Sequence, residues 1–227
     1  MMMTSPIFYD VEQGSLEWYA LRRGVITSSI VASLITPTGK IANNNTSRAC
    51  LMELLAQRIT GYTEPSYESY DMQRGVEDEP IARALYVARY AAVKEVGFVT
   101  REVAPGVVLG CSPDGLVGDD GGIEIKSRKA KIQIDTILSG VVPSENIMQI
   151  QTAMWVTGRA WWDYVSYSGG LPLAVIRCDA DLGLHGLIRD AAIVAELALV
   201  SMQVAYEGAL INNNWQPTER VAKEIEL

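Results

Sequence analysis

Midway along the chain the apolar residues change their spacing, and this change limits the fold more than any other feature. Up to about position 92 they recur at helical intervals; from 93 to 126 they alternate or run together between glycine-rich reversals. Segments 93–103, 106–111 and 123–126 are predicted strands. Ala104-Pro105-Gly106 separates the first two, and Gly118-Asp119-Asp120-Gly121-Gly122 makes a tight reversal before the third. Ahead of them, Ser15 caps a short helix over 16–23 that Gly24 ends, and Ser28 or Ser29 starts a second toward Ile35. A Pro-, Gly- and Asn-rich loop, 37–45, follows. Thr46 or Ser47 begins an amphipathic helix through Ile59, closed by Gly61. A longer helix covers 72–91, with Pro80 either kinking it or marking the start of its regular part. Beyond the strands come helices over 132–138 and 144–157, strands over 161–168 and 173–177, and a last helix from Asp181 to about 210. The order predicts an α/β fold with a central mixed β-sheet flanked by helices.

Composition narrows the chemistry. With 227 residues, 48% hydrophobic and 20% charged, the chain has enough apolar side chain for one full core. No run approaches the roughly 20 apolar residues of a membrane span, and the start lacks a basic-then-apolar leader, so a cytoplasmic protein is expected. Cys50, Cys111 and Cys178 are scattered, without CxxC spacing, and read as small buried apolar residues. The single histidine, His185, has no acidic or nucleophilic motif beside it and reads as structural; histidine-rich metal sites are excluded. Trp155, Trp161, Trp162, Tyr164 and Tyr167 fall at spacings that favour core or sheet-face positions over base stacking. Trp18, after a capped helix start, likewise reads as packing.

Two segments carry chemistry: Gly110-Cys111-Ser112-Pro113-Asp114-Gly115-Leu116 and Gly122-Ile123-Glu124-Ile125-Lys126. Antiparallel neighbours joined by a short turn bring Asp114 and Glu124 to about 5 Å from each other. The strand period of two puts Glu124 and Lys126 on one face and sends Ile123 and Ile125 into apolar packing. Two carboxylates hold a hard divalent cation such as Mg²⁺, and the carbonyl of Ile125 can complete its coordination. Lys126 beside them can orient a water or offset charge on phosphorus, an arrangement suited to phosphodiester hydrolysis. The net charge of −8 opposes DNA binding only on average. Lys126-Ser127-Arg128-Lys129-Ala130-Lys131 is a local basic run directly after the acidic motif.

Pro113-Asp114 followed by Glu124-Ile125-Lys126 resembles the PD-(D/E)xK nuclease signature. More of the chain resembles the bacteriophage lambda-type 5′-to-3′ exonucleases, the viral recombinase family of that superfamily. The likeness is carried by Gln13-Gly14-Ser15-Leu16-Glu17-Trp18, Leu21-Arg22-Arg23-Gly24-Val25-Ile26-Thr27-Ser28-Ser29, Arg74-Gly75-Val76-Glu77-Asp78-Glu79-Pro80-Ile81-Ala82-Arg83, the two catalytic segments, and Met148-Gln149-Ile150-Gln151-Thr152-Ala153-Met154-Trp155.

The resemblance implies a PD-(D/E)xK core and a single nuclease domain over 1–227. Its parts are a helical region to about 92, a catalytic sheet core over 93–180 and a C-terminal helix over 181–211. It implies an enzyme that digests the 5′-ended strand of linear duplex DNA to mononucleotides with Mg²⁺ (Mn²⁺ able to substitute). The 3′ overhangs left behind would feed a single-strand annealing protein in phage recombination. It also implies a homotrimeric ring around the DNA. By the same likeness Glu79 is the helix-borne acid that supports the metal site from the opposite side. Arg22, Ser29, Ser112 and Gln151 gather around the 5′-phosphate, where a guanidinium and neutral donors suit its oxygens. Gln149 either assists near the cleft or is a surface amide. The competing readings are an endonuclease on the same core and a non-catalytic DNA-binding protein.

Overall fold

The computed structural model describes residues 4–64 and 69–220. Its elements in chain order are β1 (Ile7–Tyr9), α1 (Leu16–Arg22), β2 (Ile26–Thr27), α2 (Ser28–Leu34), α3 (Asn45–Thr60), α4 (Tyr70–Arg89), β3 (Phe98–Ala104) and β4 (Val107–Cys111). Then follow β5 (Gly115–Val117), β6 (Gly121–Ser127), α5 (Ala130–Ser139), α6 (Ser144–Thr157), β7 (Trp161–Tyr167), β8 (Ala174–Asp179) and α7 (Leu182–Asn213).

The fold is α/β with mixed sheets, as the order of elements predicts, but the strands divide between two sheets. One has the order β1-β3-β4-β2, the other β5-β6-β7-β8. The three strands predicted over 93–103, 106–111 and 123–126 therefore do not lie side by side in one sheet. The strand carrying Glu124 pairs not with β4 but with the short β5, which the Asp114-Gly115 dipeptide had disguised as turn. β1 and β2, at three and two residues, were too short to show a period. The link 112–114 joins the sheets at this point, with a bridge between Lys94, ahead of β3, and Leu116 of β5.

The parallel pair β6 and β7 needs a long crossover, supplied by α5 and α6. α6 is buried along most of its length and packs on both sheets, α2 and α7. It belongs to the main core with Ile26, Leu54, Leu109, Trp162, Tyr164 and Leu199. α4 covers the other face of the second sheet, where Ala82 and Tyr86 meet Ile123, Ile125, Val117 and Val165. Tyr86 also donates to buried Asp163 at 2.7 Å, pinning helix to strand. α4 runs unbroken through Pro80, neither stopping nor restarting there. Proline leaves the carbonyl four residues back without a helical partner, and Val76 is exposed enough for water to take that role. Helix starts follow the chemistry of capping. Asn44 forms a capping box with Ser47, so α3 begins slightly earlier than Thr46, and Asp181 accepts from Gly183 and Leu184. Among the described residues no helix is long and apolar enough to cross a membrane.

Candidate active site

The link between the sheets delivers Asp114 to the second one. β5 and β6 are antiparallel with Gly115 opposite Ile123, so one further step puts Asp114 opposite Glu124. Asp114 Oδ2 accepts a 2.6 Å hydrogen bond from the Ile125 amide. The amide and carbonyl of one strand residue share an edge, so the Ile125 carbonyl points to the side that β5 has vacated, beside Asp114. Glu124 is only 3% exposed, and its Oε1 is the focus of the site. Lys126 Nζ and Gln149 Nε2 both approach that oxygen, each at 2.6 Å. A buried carboxylate is tolerable only with such charge-assisted partners.

The electrostatics are those of carboxylates short of positive charge. Burial pushes the Asp114 carboxyl well above the ordinary range, and the charges of Glu124 and Glu79 push it further. Burial likewise raises Glu79, opposed by Arg83 and reinforced by Glu124 and Glu95. For Lys126 burial works downward, but the pull of Glu124 and Asp114 outweighs it and the ammonium is held above its usual range.

Asp114, Glu124 and the Ile125 carbonyl form an all-oxygen donor set, the chemistry a hard divalent cation requires. Glu79 faces this set from α4 but is ion-paired with Arg83, one helical turn away. Among the described residues no three acidic, histidine or cysteine side chains close into a complete cage. The set is thus a two-carboxylate site with a third charge in range. A cleft of about 830 Å³ opens onto it between segment 10–14, Trp18 and Tyr19 on one side and Val76, Glu79 and Pro80 on the other, with Asp114 in its lining.

Arg22 and Ser112 meet nearby. Thr27 of β2 is in parallel register with Gly110 of β4, so Ser29 and Ser112 each lie two residues further along, at the same end of the sheet. Arg22 Nη1 donates to Ser112 Oγ at 2.8 Å, and the Trp18 indole donates to the same oxygen at 2.9 Å. The Arg22 guanidinium lies 4.3 Å over the Trp18 ring, so Trp18 does more than pack. Ser29 is exposed, its hydroxyl 3.0 Å from that of Thr27.

Gln151 does not join them. It is 2% exposed, and its amide is spent holding the β8–α7 connection, donating to the Asp179 carbonyl at 2.8 Å and accepting from the Asp181 amide at 2.9 Å. Two residues apart on a helix is more than half a turn, so when Gln149 faces Glu124, Gln151 must face away. The expected phosphate contact for Gln151 is corrected accordingly.

The basic run also divides. Lys126 enters the site, whereas Arg128 turns inward to the Tyr164 hydroxyl and Asn146. Lys129 pairs with Asp71 at the surface. His185 is buried and stacked on Trp155, while Trp155, Trp162 and Tyr164 are core. All three cysteines are free, and only Cys111 is fully buried. Arg83 and Gln13 escaped the sequence reading. Both fall inside segments that carry the family likeness without a role of their own: an acid and an arginine four apart on a helix look like an ordinary surface pair, and Gln13 stands out only as part of its segment.

Comparison with known proteins places this geometry in a lineage. Residues 17–160 match the YqaJ-like viral recombinase domain. An alkaline exonuclease from Laribacter hongkongensis is 36% identical, with a TM-score of 0.76 over 87% of this chain and 100% of its own. The same enzyme in complex with dAMP superposes at 0.77, with the same identity and coverage. A phage-related exonuclease from Haemophilus somnus 129PT, 15% identical, covers 82% of this chain and 98% of its own at a TM-score of 0.60, and so shares the fold. A search of curated protein sequences finds no match. On the extent of the matched domain and its identity to the Laribacter enzyme, the chain belongs to the YqaJ-like viral recombinase family.

Proposed function

We propose that this chain is a Mg²⁺-dependent exonuclease, with Mn²⁺ able to substitute, that digests the 5′-ended strand of linear duplex DNA to mononucleotides. The observation that carries the reading is the opposition of Asp114 and Glu124 across β5 and β6, with Lys126 on the same carboxylate oxygen. Membership of the family and the likeness to an alkaline exonuclease support it. So does the deoxynucleotide held by that relative, the kind of product such digestion releases.

Asp114, Glu124 and the Ile125 carbonyl would hold the cation, with Glu79 supporting from α4. When bound, it would polarise the scissile phosphate and acidify a water. Lys126, kept cationic by its neighbours, orients that water and offsets charge gathering on the phosphoryl oxygens. Gln149 holds Glu124 in place and would assist at the cleft beside it. Arg22, Ser29 and Ser112 would grip the 5′-phosphate of the strand being digested, a guanidinium and two hydroxyls matching its oxygens. On this reading the chain is one nuclease domain and works in the cytoplasm as a homotrimeric ring threaded by DNA. It would pass 3′ overhangs to a single-strand annealing protein.

End-labelled linear duplex and a covalently closed circle, incubated with Mg²⁺ or with chelator, provide the test. Linear DNA should be digested from its 5′ ends only with the metal, and the circle should survive. Asp114→Ala should lower the rate by at least about 100-fold while retaining DNA binding. Cutting of the circle, or digestion undiminished in Asp114→Ala, would sink the proposal.

A further inference from the structure

The link 112–114 lies between two sheets and is flanked by strands at both ends, yet the residue it carries needs the tightest placement in the molecule. Each of its residues is held by a side chain from elsewhere. Ser112 Oγ accepts from Trp18 and Arg22. The Pro113 carbonyl accepts from Gln13 Nε2 at 2.9 Å, and the same nitrogen reaches the Val96 carbonyl at 3.0 Å. The Asp114 carbonyl accepts from Arg83 Nε at 3.0 Å. We infer that Arg83, assisted by Gln13, is a positioning residue: the two clamp consecutive carbonyls and thereby set where the Asp114 carboxylate stands against Glu124 for cation binding. The inference rests on the proposed metal-dependent nuclease.

Arg83 is well placed for the task because its fork serves three segments at once. Besides the Asp114 carbonyl, it pairs with Glu79 on its own helix and, through Nη1 at 3.0 Å, with Glu95 ahead of β3. Its side chain is only 17% exposed. A planar guanidinium with donors in fixed directions can satisfy three such partners, whereas a lysine ammonium on a flexible stem cannot hold the same geometry. Charge and geometry pull in opposite directions here. Removing a cation near carboxylates would by itself strengthen metal binding, while releasing the Asp114 carbonyl weakens it. Arg83 already faces two carboxylates of its own, so its net field at the site is small and geometry should win. Groups that orient metal ligands from behind commonly govern about 10–100-fold in affinity.

Arg83→Lys separates the two effects, because it keeps the charge and loses the fork. Calorimetric titration of Mg²⁺ into the DNA-free full chain should give a Kd roughly tenfold or more above wild type. Digestion of linear duplex should need a correspondingly higher Mg²⁺ concentration for half its maximal rate, with a smaller change in the maximum. Gln13→Leu should shift both readouts in the same direction, and it carries the test if Arg83→Lys does not fold. Wild-type Mg²⁺ affinity in a folded variant overturns the role of that residue, even if its melting temperature falls. If wild type binds Mg²⁺ and digests DNA while the variants match it, only this inference fails. If wild type does neither, the nuclease reading fails and takes this inference with it.

Discussion

Asp114 is the residue on which the site turns, and its energetics make a prediction that needs no DNA. Its folded pKa lies above its unfolded one, chiefly from burial and then from Glu124 and Glu79. The fold therefore favours the protonated acid. That stability is fully present below the ordinary carboxylate range and is lost as the pH rises through the elevated value. At neutral pH without a divalent cation, the ionised group costs stability. Asp114→Asn removes the charge and keeps an acceptor for the Ile125 amide. In chelator at neutral pH this variant should be more stable than wild type by about 1 kcal/mol, or roughly 2–4 °C in melting temperature. The gap should close as the pH falls toward 4, roughly the unperturbed carboxylate value. Excess Mg²⁺ should stabilise wild type and not the variant. A gap independent of pH would show that Asp114 is not a strained carboxylate. At this scale the sequence spoke clearly where spacing alone fixes a face. Glu124 and Lys126 share one side of β6 and Ile123 and Ile125 the other, as a period of two demands. It misplaced Gln151 relative to Gln149, because α6 is buried on nearly every side and neither glutamine is marked as inward or outward.

The elements were legible where they are long. α6 spans 144–157 as read from the sequence, and the last helix starts at its Asp181 cap. Short elements whose pairing depends on distant chain were not: β1, β2 and β5 are defined by partners rather than by their own residues. Gly121 and Gly122 show the difficulty. Composition assigns them to a reversal, whereas they lie in β6 in parallel register with Trp161 and Trp162. Their lack of side chains is a matter of space rather than of turning. A Cβ at Gly122 would stand 2.4 Å from the indole of Trp162, which is fully buried and has no room to retreat. Gly122→Ala should therefore destabilise the protein by about 1–3 kcal/mol despite alanine's lower backbone entropy in a strand. Urea unfolding would measure this, with a lower midpoint and an unchanged slope. A midpoint equal to wild type would mean that the rings are not packed against β6 as described. The consequence reaches function through β6 itself, since the strand fixed by these indoles carries Glu124 and Lys126 two and four residues later.

Over the whole molecule, a net charge of −8 must coexist with a polyanionic substrate. The proposed DNA contacts are few and local. Arg22 and Lys126 face the site, Arg128 is committed to the interior, and Lys129 and Lys131 lie exposed on the strand-to-helix connection and the start of α5. The acidic remainder repels DNA at long range, so binding should depend on short-range neutralisation and weaken steeply with salt. Each phosphate neutralised contributes about −0.9 to the slope of log affinity against log salt. Three or four contacts per chain predict a slope of roughly −2.7 to −3.6, or about 40- to 150-fold weaker binding between 50 and 200 mM salt. Fluorescence anisotropy with the non-cleaving Asp114→Ala protein and a short duplex would read this without digestion. Replacing Lys129 and Lys131 together by Gln should flatten the slope by roughly one to two. Lys129 loses only a surface ion pair with Asp71 in the exchange, so melting should hardly change. A double variant with an unaltered slope would place the DNA elsewhere and leave the basic run as solvated surface. A flattened slope with unchanged melting would instead assign these two lysines to the path by which an acidic protein leads a DNA end to Asp114 and Glu124.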